Sequence, residues 1–376
     1  MSAVWVTDAT VVSGLGPDID STWRGLVEGR SAVRPIERFD ASRYPARVAS
    51  WIDGLEPEGG RSRLFPLMER VVAGLGPLPG DARLLTATTK GCIDTLERIQ
   101  AGRPGDARDI PIATPVAWLA RRLGLADTGV NINVACASSA IAVARAAAAI
   151  DAGLAEAVVV VCMDLVSEFV FSGFNALMAL DPDGSRPFDR ERKGLSLGEG
   201  GAALVLMSAR RARREGRRAL GVVAGWGMAN DATHITAPAR DGCGLIDAVR
   251  LALARAGVEA GEVAAINAHG TGTVYNDQME LTAFGAVFGA RPIPLNSIKG
   301  AIGHTLGAAG GIEVAMGLRA VAERTLPPTA GFRASDGSSS LAVSAGPQAI
   351  GPGFLLSTNS GFGGVNAALL LGGEAA

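Results

Sequence analysis

At 376 residues, 48% hydrophobic and 19% charged, the chain carries enough apolar material for a large core in roughly two domain-sized units, which excludes a disordered protein. Thirty-five basic against 37 acidic side chains leave a formal net charge of −2, so nothing global favours nucleic acid. Cys92, Cys136, Cys162 and Cys243 show neither metal-type C-x-x-C spacing nor a dense disulfide framework, which predicts a reduced cytoplasmic protein with no bound metal.

The opening MSAVWVTDAT has no cationic start and places Asp8 where a secretory leader is apolar, so no leader is expected. Val130–Val134 reads as a strand and Ser138–Ala152 as a helix that starts just after it. The most apolar stretch, Val134 to Gly153, is crossed by Arg145 and Asp151 and fails as a membrane span. Ala157–Val161 is short and β-branched, which suits a central strand, and Gly201–Met207 predicts another. The run RRARREGRR at 210–218 lacks interleaved aromatics, so it reads as the solvated face of a helix and as the seam before a new strand near Leu220. Beyond it, Gly244–Ala256 and Gly307–Glu323 predict helices; Val263–Ala268, Phe354–Thr358 and Asn366–Leu371 predict strands. Alternation of this kind is the mark of an α/β protein. The strand–turn–helix around Cys136 is echoed from Leu295 to Val321, and each half ends on a Gly-rich turn feeding an apolar strand, as a duplicated unit does.

Cys136 stands at a strand-to-helix junction, followed by the small residues Ala137, Ser138, Ser139 and Ala140. A thiol at a first helical turn faces unpaired N–H groups and the positive dipole end, which predicts a lowered pKa and donors for an oxyanion. Of the three histidines, His269 opens His-Gly-Thr-Gly-Thr after an apolar strand, and His304 lies in a Gly-rich segment at a helix mouth. Lys299 and Glu313 flank His304 as an ion pair that could orient it. Two of three histidines at Gly-rich strand ends point to a shared site.

Five segments then coincide in order: Val134-Ala-Cys-Ala-Ser-Ser; Arg186-Pro-Phe-Asp with Gly198-Glu-Gly; Asn267-Ala-His-Gly-Thr-Gly-Thr; Lys299 through Glu313; and Asn359-Ser-Gly-Phe-Gly-Gly. On these the chain resembles the β-ketoacyl-acyl-carrier-protein synthases, condensing enzymes of the thiolase superfamily, nearly end to end. The resemblance implies a thiolase-like α/β fold: duplicated α/β/α layered halves with mixed five-stranded sheets, residues 1–219 carrying the cysteine and 220–376 the histidines. It implies that Cys136 is the nucleophile and that His269 and His304 are the catalytic pair. Lys299 and Glu313 join the catalytic set. Thr271 and Thr273 hold the phosphopantetheine arm, which arrives on the carrier protein, so no separate cofactor is expected. Phe362 is the gate, its N–H joining that of Cys136 in the oxyanion hole, and Asp277 is a structural acid.

The same resemblance implies acyl- and malonyl-carrier-protein substrates, and a homodimer or a heterodimer with a ketosynthase-like subunit. No nucleic acid or membrane partner is implied. Arg190, Arg192 and Lys193 are candidates for a basic carrier-docking patch, with Arg61 and Arg63 weaker ones. The C-terminal loop is one residue shorter than the family's usual form, and Leu195 replaces a frequent phenylalanine near the acyl pocket. These departures tilt the reading from primary fatty-acid synthesis toward specialised polyketide or polyene synthesis. The rivals are a subunit, active or inactive, of a ketosynthase/chain-length-factor pair and a coenzyme A thiolase. Cys136 argues against the inactive subunit, and the lack of a cysteine after Cys243 argues against the thiolase.

Overall fold

The computed structural model describes residues 4–56 and 58–374, and within them eleven strands form one hydrogen-bonded mixed sheet. From the middle outward, one half runs Val4–Ser13, Gly200–Ser208, Ala157–Asp164, Arg83–Ala87 and Val130–Asn131. The other runs Gly221–Asn230, Val365–Gly372, Phe354–Gly361, Val263–Asn267, Pro294–Asn296 and Ala342–Val343. Over the first five strands of each half the pairing sense is the same: antiparallel, antiparallel, parallel, parallel. This is the duplicated thiolase-like layout. Two details depart from a pair of separate five-stranded sheets. Val4–Val6 pairs with Gly221–Val223 and fuses the halves into one ladder, and Ala342–Val343 adds a sixth strand to the second half.

Between the half-sheets lie two helices, Ser138–Asp151 and Ala309–Glu323, which touch each other and strands of both halves. Both are apolar on nearly every side, as a helix enclosed by sheets must be, and their Ala and Gly content permits close approach. They anchor the largest core cluster, which draws strands from both halves. Leu64–Ala73 covers the outer face of the first half, while Cys243–Ala256 and Val274–Phe288 cover the second. The strands Ala157–Asp164 and Gly200–Ser208 are buried at every residue, in keeping with their continuous apolar character. The arginine run forms the short helix Ala209–Arg214, where Arg211 pairs with Asp81 and Glu215 and Arg210 with Glu156. Among the described residues no helix is long and apolar enough to cross a membrane.

Candidate active site

Cys136 and His304 occupy equivalent places in the two halves, each between the fifth strand and the central helix that follows it. His269 lies two residues beyond the C-terminal end of the parallel strand Val263–Asn267. Strand carboxyl ends are where open α/β sheets gather loops around a ligand.

The turn carrying Cys136 is strained. Ala135 has φ +48°, uncommon for a residue with a side chain. Ser138 holds it there, accepting from the Val134 N–H at 2.8 Å and donating to the Ala135 carbonyl at 2.6 Å. Helical geometry proper begins only at Ser138, after an Ala137 cap. The expected lowering of the thiol pKa is therefore corrected: burial dominates and pushes it up to about 11. The Lys299 and Lys90 charges and the Phe362 N–H, which donates to the sulfur, oppose that shift without overcoming it.

Each imidazole is fixed by backbone contacts. The N–H groups of His269 and Gly270 donate to the two Glu280 oxygens, both at 2.7 Å. His304 is tied to the other half of the molecule: its N–H donates to the Ser196 carbonyl at 2.7 Å, and its carbonyl accepts from Gly198 at 3.0 Å. Its Nδ1 accepts the Leu306 N–H at 3.2 Å, so the ring proton resides on Nε2. That Nε2 is buried, with no hydrogen-bond partner among the described residues. The two rings meet edge to face with centroids 5.2 Å apart. Burial, then the Lys299 charge, holds both well below the usual imidazole value; for His269 the neighbouring His304 adds to this. Both are neutral donors at physiological pH.

Cys136, His269 and His304 line one cleft of about 460 Å³, together with Thr271, Thr273, Leu195 and Phe362. The two threonine hydroxyls lie 2.9 Å apart. Phe362 reaches the cleft despite its short loop because Gly361 packs on the cysteine turn, where a Cβ would stand 3.2 Å from Cys136 N. Lys299 and Glu313 are buried behind this surface, Nζ to Oε1 at 2.5 Å, rather than lining it. The pair acts on His304 through the Lys299 charge, whereas the hydrogen bond of the second Glu313 oxygen runs the other way, accepting from Asn359 at 2.7 Å on the His269 side.

The basic patch needs correction. Arg192 is buried, donating to the Asp189 carbonyl at 2.9 Å and pairing with Asp336 and Asp277, so it presents no charge to a partner. Arg63 likewise pairs with buried Glu199, and Arg61 with Asp109. Arg190 and Lys193 are exposed, Lys193 at the cleft itself. Asp277 accepts from Thr271, Gly272 and Phe188, bracing the threonine loop. Three contributors were given no role from the sequence, although Asn359 stands in a segment that carried the resemblance. Glu280 follows at helical spacing from Asp277, a signal that was available. Phe174 stacks on Phe362 at 5.7 Å, and Asn359 bridges Glu313 and His269; neither contact has a local signature.

The N-terminal domain of β-ketoacyl synthases matches residues 110–212 and the C-terminal domain residues 220–333. A Streptomyces rimosus protein named as an oxytetracycline polyketide putative β-ketoacyl synthase is 33% identical over 99% of this chain and 98% of its own. The 3-oxoacyl-[acyl-carrier-protein] synthase 2 of Synechocystis is 31% identical over 97% of each. Among solved structures, the ishigamide ketosynthase/chain length factor superposes with a TM-score of 0.91 at 32% identity, covering 99% of both chains. With the duplicated fold and a cysteine and two histidines in one cleft, these matches establish that the chain belongs to the β-ketoacyl synthase family of carbon–carbon bond-forming acyltransferases.

Proposed function

We propose that this chain condenses an acyl group with malonyl-carrier protein in specialised polyketide biosynthesis, with residues 1–219 supplying the nucleophile and 220–376 both imidazoles. The observation that carries the reading is the Nε2–H of His304, a buried donor with no partner among the described residues, in the same cleft as the Cys136 thiol. Such a donor, unused in the free protein, is suited to charge that develops only during reaction.

Cys136 attacks the carrier-bound acyl thioester, and its proton leaves with the carrier's thiol, so the exchange is neutral overall. The backbone N–H groups of Cys136 and Phe362 hold the tetrahedral oxygen. Malonyl thioester then sheds carbon dioxide, and the electron pair rests on the thioester oxygen as an enolate facing the two imidazole donors. Being neutral and weakly basic, they stabilise the enolate without protonating its carbon. That carbon attacks the acyl–Cys136 carbonyl, the carbon–sulfur bond breaks, and the sulfur takes up from solvent the one proton the condensation consumes. Thr271 and Thr273 grip the pantetheine arm, Leu195 widens the acyl side of the cleft, and no other cofactor takes part.

Two partners follow. One is an acyl carrier protein meeting the cleft mouth, where Met178, Val274 and Tyr275 are exposed beside Lys193. The other is a ketosynthase-like subunit, a reading supported by the ishigamide ketosynthase/chain length factor. Cys136→Ala is expected to abolish the acyl-enzyme mass shift. His304→Ala is expected to retain acylation while carbon dioxide release from malonyl-carrier protein falls roughly a hundredfold. Unchanged decarboxylation, or a labelled alanine variant, overturns the assignment.

A further inference from the structure

Lys299, Glu313, Asn359 and His269 form a buried line that ends at the cleft, none of the four more than 3% exposed. The Lys299 ammonium donates to one Glu313 oxygen, and the other oxygen accepts from Asn359 Nδ2 at 2.7 Å. A carboxylate only accepts, so it dictates which end of the Asn359 amide faces it. The NH₂ is thereby committed to this side, and its second hydrogen lies toward His269 Nδ1, 3.5 Å away. The amide oxygen is left buried, with no partner among the described residues, against Gly310, where a Cβ would come within 2.6 Å of it. An amide that leaves its own oxygen unsatisfied is being held by its nitrogen end.

We infer that Asn359 is a positioning residue that sets the tautomer of His269: its amide N–H makes Nδ1 an acceptor and so places the ring proton on Nε2. The ion pair Lys299–Glu313 acts through this amide, as a clamp on its orientation. The Leu306 N–H does the same for His304, so two different devices prepare one pair of Nε2–H donors. The distance is long for a hydrogen bond in the free protein, as catalytic contacts commonly are before substrate binds. The inference rests on the condensation reading above only for its consequence in catalysis; the tautomer itself can be read without turnover.

With three histidines in the chain, ring-¹⁵N labelling and a long-range proton–nitrogen correlation spectrum report the protonated nitrogen of each. In the native protein His269 and His304 are both expected as neutral Nε2–H. In Asn359→Asp the introduced carboxyl shares a proton with Glu313 and turns an accepting oxygen to His269, which is expected to switch to Nδ1–H while His304 stays. Decarboxylation then falls roughly a hundredfold, as for loss of one oxyanion donor, with Cys136 acylation retained. Nδ1–H on His269 in the native spectrum, or no switch in the variant, overturns the inference. A switch with full decarboxylation supports the tautomer assignment and instead refutes His269 as an enolate donor. Should that variant not fold, Nδ1–H on His269 in the native spectrum still overturns the inference, and Asn359→Leu, which removes the amide at similar size, is expected to let Nδ1–H appear on His269; unchanged Nε2–H there overturns it too.

Discussion

Two lysine charges and one peptide N–H favour the anion of Cys136, yet burial outweighs them and leaves its thiol at about 11. At neutral pH the resting group is a protonated thiol, so the proton must leave during acyl transfer and not before it. Alkylation tests this, because iodoacetamide reacts with the thiolate. Cys92 and Cys162 are buried with thiols near 12, but Cys243 is exposed, so the measurement belongs in a Cys243→Ser background. Peptide mass spectrometry is expected to show Cys136 alkylation rising about tenfold per pH unit from pH 7 to 10. A plateau below pH 9 would show that the turn and its lysines lower the pKa after all.

Where the central helices cross they meet almost at the backbone: a Cβ on Gly310 would fall 2.7 Å from Ala140 N and 2.8 Å from Ala140 Cβ, besides 2.6 Å from Asn359 Oδ1. No rotamer change can relieve the two Ala140 contacts. Gly310→Ala is therefore expected to destabilise the protein by about 1–3 kcal/mol, seen as a lower urea midpoint at unchanged slope. A midpoint equal to the native one would mean the helices can slide apart. At this scale the sequence was most readable where burial is uniform. Ser138–Asp151 was anticipated to within a residue at its end, because an alanine run has no other regular state so favourable. The partner helix was expected from Gly307 but begins at Ala309, after a tight turn in which Leu306 takes φ +52°. Val4–Ser13 went unread as a strand: its middle is polar and half-buried, and its register slips between Val6 and Asp8. Its two pairings lie some two hundred residues away, beyond any local pattern.

The site divides along the same line at the scale of the whole molecule. Cys136, His269 and His304 were legible because each sits in a distinctive small-residue turn, whereas Asn359 and Phe174 act through contacts made only by folding. Arg192 shows the reverse failure, since a charged RERK run resembles solvated surface until Asp277 and Asp336 fold around it. Losing it leaves Arg190 and Lys193 as the surviving basic groups of the predicted patch. With a formal net charge of −2, the molecule as a whole does not attract an acidic carrier, so any steering is local and screened within about 10 Å at 0.1 M salt. Arg190→Glu with Lys193→Glu is expected to lower kcat/KM for acyl-carrier protein roughly tenfold at low salt, the deficit closing as salt rises. The same variant should use a free acyl-pantetheine thioester as well as the native enzyme does. A salt-independent loss, or an equal loss with the free thioester, would place the effect of Lys193 inside the cleft it lines and remove the docking role.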